Sequence, residues 1–312
     1  MQLRTGARVS APSAPGPAAR AVRSAWWRGR THWLYLAPAL ALLVTFTYVP
    51  VGNMFWYSFH RWDGLSPAMT PVGWDNYVRV FTDDGYWRVF LVSLYYFVAS
   101  FAQIAIALYF AVVLSFQTRL RNLFRGILFF PYLLNGVAVG FVFLYLFQPG
   151  GTLDTVLRMV GLGEQTRYWL GDPDIANVSL AGTSVWRFTG LSFVLFLGAI
   201  QSIPRELYEA AEIDGANRWH QFRFVIAPGI RRIISLSFIL AISGSLSVFE
   251  IPFIMTGGAN DTRTFVIRAY ETAFQFRQIG LASAMAVVLL LLVLLITWVQ
   301  RRLVPDEEVT LS

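Results

Sequence analysis

The sequence contains no cysteine and no lysine. The first absence removes any disulfide framework and any thiolate metal site. The second removes the Gly-Lys-Ser/Thr of a phosphate-binding loop, and with it the amine of a Schiff base or a lysine general base. All 25 basic residues are therefore arginine. Charge of either sign is scarce, at 14% of 312 residues, where a soluble domain carries about 25%. Histidine is rarer still: His32, His60 and His220 lie far apart, so no metal cluster is expected. No Ser-His-Asp arrangement is evident. What remains is 56% hydrophobic and 16% aromatic, with a mean hydropathy of +0.53, which places the chain in the membrane class. A non-enzymatic chain without a cofactor of its own is expected, with any energy source in a partner.

A spanning helix needs about 20 mostly apolar residues. Six runs qualify: 33–59, 89–118, 126–153, 175–204, 233–258 and 278–300. Four carry no charge; the fourth run holds only Arg187 and the fifth only Glu250. In the third, "QPGG" at 148–151 must end the helix. The fold class expected is all-α, an integral membrane protein of six transmembrane helices. Residues 1–30 read as a disordered basic tail, 31–85 as the first span and its loop, 86–302 as the transmembrane core, and 303–312 as a second tail. A cleaved signal peptide does not fit, because the first apolar run exceeds the usual length of about 7–15 residues.

Orientation follows from the arginines. The N-terminal side holds 16 Arg against 7 acidic residues, and the opposite loops hold 8 Arg against 10. Both termini are expected in the cytoplasm, in a multi-pass protein of the plasma membrane. The basic balance is thus a topology signal, and nucleic-acid binding, which needs a soluble basic face, is not expected. Trp and Tyr in the opposite loops fit an interfacial belt.

One loop is long and charged. Residues 203–232 begin "IPRELYEAAEIDGANRWHQF". Ser202 is suited to cap a helix start and Pro204 to its first turn. Leu207, Ala210 and Ala211 fall on one helical face, Asp214-Gly215 breaks the helix, and Trp219, Phe222 and Ile226 share the face of a second. Pro228 closes that helix before the fifth span. The reading is a helical hairpin on the cytoplasmic side; an ordinary amphipathic loop lying on the membrane fits the same pattern.

The stretch "EAAEIDGANRWHQFRFVIAP" resembles the EAA motif of ABC importer permeases. Glu209, Ala210, Ala211, Gly215 and Pro228 match in type and spacing; Val225 is a mild departure and Ala227, where the motif has Leu, a larger one. "VGWDNYVRVF", "FRGILFFPYLLNGVAVG" and "MTGGANDTRTFVIRAYETAFQFRQIGLASAMAV" resemble carbohydrate-importer permeases of the maltose-transporter type, over roughly residues 33–302. The resemblance implies a MetI-like ABC permease domain with a coupling-helix hairpin between spans four and five. Glu209, Ala210, Ala211, Asp214, Gly215 and Pro228 would form that coupling element. It further implies a second homologous permease subunit, an ABC ATPase dimer that binds ATP and Mg, and an extracytoplasmic sugar-binding protein. The mechanism implied is alternating access. A permease for another solute, such as a polyol, glycerol phosphate or polyamine, stays open, as does an ATP-independent transporter.

Polar groups inside a membrane usually face the bundle interior. In span five, Ser243, Ser247 and Glu250 recur at i, i+4, i+7, with Gly244 and Pro252 nearby to bend or unwind the helix around a polar cavity. Gln103, Asn135 and Tyr145, with Phe141, are further candidates for the substrate path. Small-residue helix packing explains the serines equally well. Arg187 is a candidate partner for Glu250.

Overall fold

The computed structural model describes residues 35–116 and 121–303. The expected tail at 1–30, and all but the first residue of that at 303–312, lie outside the described residues. The chain divides into two units, 1–53 and 54–312. The first contains most of helix α1, Tyr35–Ser58. Its 24 residues rise about 36 Å, enough for a hydrocarbon core of about 30 Å.

In the second unit a short antiparallel ribbon pairs β1, His60–Arg61, with β2, Thr70–Pro71. Helix α2, Asp75–Thr82, follows. Asn76 of α2 ties the ribbon down: its Nδ2 donates to the Ser58 and His60 carbonyls at 2.8 and 3.0 Å. The long helix α3, Asp84–Ser115, starts where the Asp83 carboxylate accepts from Gly85 N at 2.8 Å. Helix α7, Pro173–Gln201, starts on an Asp172 cap with Pro173 in its first turn, where a missing N–H costs nothing.

The third apolar run is not one straight helix. It forms α4, Arg121–Leu133, and α5, Gly136–Leu146, bent by 97°. Pro131 sits inside α4 and cannot donate to the helical ladder. Asn135 then takes an extended conformation (φ −60°, ψ 138°), and its side chain starts α5 by accepting from Val137 N at 2.8 Å. A short helix α6, Thr152–Met159, follows the Pro-Gly-Gly turn.

Beyond α7 come α8, Arg205–Ile213, and α9, residues 218–229, the two arms of a hairpin. The fifth run is divided into α10, Arg231–Leu246, and α11, Glu250–Met255. Helix α12, Phe265–Tyr270, and the terminal α13, Ile279–Leu303, complete the unit. Among the described residues, five helical stretches are long and apolar enough to cross a membrane, and the bent pair α4–α5, taken as one span, makes a sixth.

Three apolar clusters hold these elements. One joins α2, α3, Phe265 and α13. A second joins α3, α7 and α9 through Phe193, Phe196, Ile226 and Ile230. A third joins α3, α7 and α11. Between helices in lipid the hydrophobic transfer term is weak and close packing matters more. Gly190 shows this: a Cβ there would sit 2.7 Å from the Leu128 carbonyl oxygen and 3.1 Å from Phe129 Cα, so α7 and α4 touch backbone to backbone.

Candidate functional site

The break in the fifth span lies at Ser247–Phe249, between α10 and α11. Ser247 N divides itself between the carbonyls of Ser243 and Gly244, at 3.2 and 3.1 Å. The Val248 carbonyl accepts from Thr264 Oγ1 at 2.8 Å. A broken helix inside a membrane must find such partners for its freed backbone groups.

The breaks of spans three and five meet. Helix α5 lies on α11: a Cβ on Gly140 would press on Ile254 at 2.8 Å, and one on Gly136 would collide with the Glu250 carboxylate and the Arg187 guanidinium. In the room that Gly136 leaves, Arg187 Nη1 donates to Glu250 Oε2 at 2.9 Å. The two charges are unequally sheltered. The Arg187 side chain is 14% exposed and that of Glu250 53%.

Beside this pair lies a cavity of about 620 Å³ between α3, α7, α10 and the start of α11. Its volume is within the range of small-molecule sites. Of the residues singled out in the sequence, Gln103, Ser247 and Glu250 line it. Gln103 Nε2 donates to the Phe188 carbonyl at 3.2 Å and to Ser192 Oγ at 2.9 Å, joining α3 to α7. Ser243 is outside the lining: α10 turns Ser237, Leu240, Ala241, Gly244 and Ser245 to the cavity, and Ser243 lies off that face. Asn135 is outside it too, since its oxygen is committed to capping α5. Tyr145 is 63% exposed on α5, away from the cavity.

Besides Gln103, the lining includes polar groups absent from the sequence candidates, Tyr96, Ser100, Ser184 and Ser192 among them. Tyr96, Ser100 and Gln103 recur at i, i+4, i+7 on α3, and Ser184, Phe188 and Ser192 at i, i+4, i+8 on α7. That helical spacing was the available signal. Among the described residues, the Tyr96 hydroxyl, the Ser237 hydroxyl and Arg187 Nε are buried and without a hydrogen-bond partner. Buried polar groups rarely stay unpaired, and all three belong to residues that line the cavity.

The hairpin forms a second site. Helix α8 begins after Pro204, at φ −55° and ψ 137°. Ser202 does not cap it, contrary to the sequence expectation. It closes α7 instead, its hydroxyl donating to the Ala199 carbonyl at 2.8 Å. The turn after α8 is fully bonded: Ala216 N donates to the Ala211 carbonyl at 2.9 Å and Gly215 N to that of Glu212 at 3.0 Å. This paired pattern requires a left-handed residue just past the helix end, and Gly215 supplies it at φ +78°. Asn217 caps the second arm by accepting from His220 N at 2.9 Å. Phe222–Ile226 then forms a π-helical turn, which relieves the ladder just ahead of Pro228, a residue with no N–H to give.

The two arms face different ways. Ile226 and Ile230 are fully buried, and Tyr208 and Phe222 pack against the same cluster. Leu207, Ile213, Trp219 and Phe224 are 52%, 87%, 62% and 67% exposed. Trp219 is therefore separated from the buried face that its spacing suggested. Ala210, Asp214, Gly215 and Pro228 are exposed and Ala211 half-buried. Glu209 reaches Arg205 Nε at 2.9 Å, but both side chains are open to solvent, and such pairs contribute little, about 0–1 kcal/mol. The hairpin is anchored through one face and presents small and apolar residues on the other.

The comparisons with known proteins agree with this geometry. Residues 103–308 match the family described as binding-protein-dependent transport system inner membrane component. The probable ABC transporter permease protein YurN of Bacillus subtilis is 32% identical over 276 residues, 86% of this chain and 94% of that protein. The multiple sugar-binding transport system permease protein MsmF of Streptococcus mutans is 31% identical over 293 residues, 93% of this chain and 99% of that one. A chain of the bacterial alginate ABC transporter, solved in complex with an alginate pentasaccharide-bound periplasmic protein, shares the fold with a TM-score of 0.77. That match is 20% identical and covers 89% and 96% of the two chains. Six apolar spans, two of them broken beside a polar cavity, and an anchored hairpin carrying the EAA pattern thus sit in a chain that belongs to the binding-protein-dependent ABC transporter permease family.

Proposed function

We propose that this permease carries a sugar across the cytoplasmic membrane, by alternating access, with ATP hydrolysed by a separate subunit. The observation that carries the sugar reading is the cavity. Its lining brings together the hydroxyls of Ser184 and Ser247, the Gln103 amide and the Glu250 carboxylate, donor and acceptor groups that suit a polyhydroxylated solute. The multiple-sugar permease relative supports the same class.

The hairpin is the proposed coupling element. Glu209, Ala210, Ala211, Asp214, Gly215 and Pro228 would form the face that meets the ATPase. Exposed Ile213 and Trp219 would supply apolar contact, and the small alanines would allow close approach. Movement of the hairpin would reach the cavity through the shared cluster of Ile226, Ile230, Phe193 and Phe196. That cluster ties the hairpin to α7, which carries Arg187. Gln103, Ser247 and Glu250 are proposed to line the substrate path. A solute-binding protein would deliver the sugar from the opposite side, and a second permease subunit would complete the pathway. Both termini would be cytoplasmic, a reading that the arginine distribution supports.

The test is sugar uptake into proteoliposomes holding the complete importer. Uptake should require internal or external ATP on one side only, and should rise with the binding protein. Equal uptake without ATP would assign the chain to ATP-independent transport.

A further inference from the structure

We propose that the Arg187–Glu250 pair sets the cavity to accept uncharged saccharides and to reject acidic ones. The inference rests on the sugar reading above and adds to it the charge class of the solute and the residues that determine it.

The pair sits at the junction of three elements: the start of α5 at Gly136, the start of α11 at Glu250, and the middle of α7 at Arg187. The absence of a side chain at Gly136 is what allows the carboxylate to lie there. The guanidinium is the sheltered member, at 14% exposure, and also lies over the Phe188 ring at 5.1 Å. The carboxylate is the open member, at 53%, and both residues belong to the cavity lining. A solute in the cavity therefore meets the negative partner first.

The hydrogen-bonding inventory points the same way. Glu250 Oε2 is engaged by Arg187, whereas no partner is recorded for Oε1 among the described residues. An ionised carboxylate only accepts hydrogen bonds. It suits a hydroxyl, which can donate, and repels a uronate carboxylate, which cannot. Arg187 Nε is a donor without a partner, and the hydroxyls of Tyr96 and Ser237 each donate and accept. A sugar hydroxyl supplies the donor that the open Glu250 Oε1 lacks. Among the described residues, no other acidic or basic side chain lines the cavity, so only its own partner offsets Glu250 there. The charge preference resides in this one pair.

The experiment uses the full permease–ATPase complex in detergent, without the solute-binding protein, so that selectivity at the binding protein does not enter. Maltose, cellobiose and cellobiouronate are titrated to millimolar concentration by calorimetry. Wild type should bind at least one neutral disaccharide, and cellobiouronate at least tenfold more weakly than cellobiose. Glu250→Gln should reduce that ratio to within about twofold by admitting the acid. Arg187→Gln, which leaves Glu250 uncompensated, should widen it. The double variant Arg187→Gln/Glu250→Gln carries no charge at the site and serves where a single variant fails to fold; it too should lose discrimination. Equal binding of acid and neutral sugar by wild type would overturn the proposal, as would a ratio that Glu250→Gln and the double variant both leave unchanged. Absence of binding by every saccharide, neutral or acidic, would overturn the sugar reading itself.

Discussion

Two glycines on α7, eight residues apart, should respond to the same substitution with opposite signs. At Gly190 a Cβ would meet the Leu128 carbonyl oxygen at 2.7 Å. Ordinary contact starts near 3.4 Å, so α4 and α7 must separate by about 0.7 Å. The obstructing atoms are backbone, with no rotamer to turn away, and α4 is held at its far end by the Pro131–Asn135 break. Overpacking of this kind costs about 1–3 kcal/mol. At Gly182 no atom lies within 4 Å of the added carbon. Ala there contributes only its better helix propensity, about 0.8–1 kcal/mol. For a chain of this size 1 kcal/mol corresponds to about 2–4 °C. Gly190→Ala should therefore lower the unfolding midpoint by several degrees and Gly182→Ala raise it by about 2–4 °C. The assay is thermal unfolding of the purified complex at a single scan rate, since membrane complexes unfold irreversibly. Equal midpoints for the two variants, or a more stable Gly190→Ala, would refute the close approach of α4 and α7.

Two further predictions concern acid and the hairpin turn. Asp154 is nearly buried, and hydrogen bonds from Trp169 Nε1 and Gly150 N hold its carboxyl below the usual range; the Ser66 hydroxyl and two backbone amides hold Asp63 down to about 2. Lowered carboxyl pKa values give stability that is present above about pH 4 and lost as pH falls towards about 2, so the unfolding midpoint should drop across that window, and Asp63→Asn with Asp154→Asn should flatten the drop; an unchanged acid profile in the double variant would contradict these contacts. Gly215→Ala meets no atom within 4 Å, so its whole cost is the left-handed backbone, about 1–2 kcal/mol; measured by proteolysis of the hairpin, cleavage should rise severalfold, and no increase would show that the turn does not need φ +78°.

The elements whose signals are local were legible in the sequence. Asp214-Gly215 announced the hairpin turn, and the bonded turn forms there. Long uncharged runs announced the spans. The break in span three was not read, because hydropathy over a window averages composition and is blind to a single backbone turn. The signal is present in Pro131 and Asn135: an amide in an apolar run reads as a cavity group, whereas in the structure Asn135 caps α5. Ser202 failed for a related reason: a serine between two helices can end one or start the next, and only the backbone decides. The unwinding of span five is legible from Gly244 and Pro252, whereas Ser243 lies off the face that α10 turns to the cavity, which local spacing alone does not reveal. Arg187 and Glu250 lie 63 residues apart. Their pairing was a candidate from charge alone, whereas Gly136 as the third member of the junction depends on packing that no local pattern encodes.

The hairpin's proposed role is to transmit between an ATPase and the cavity. It is tested most directly by measuring ATP hydrolysis and sugar uptake together in the assembled importer, for wild type, Glu209→Ala and Gly215→Pro. Assembly is checked in the same preparations. Proline at 215 fixes a negative φ where the turn holds +78° and removes the N–H that bonds the Glu212 carbonyl. The account predicts that both variants keep their spans folded but lose binding-protein-stimulated hydrolysis and uptake in parallel, Gly215→Pro the more completely. Variants that assemble and turn over like wild type would reduce the hairpin to a loop on the membrane surface and contradict the account.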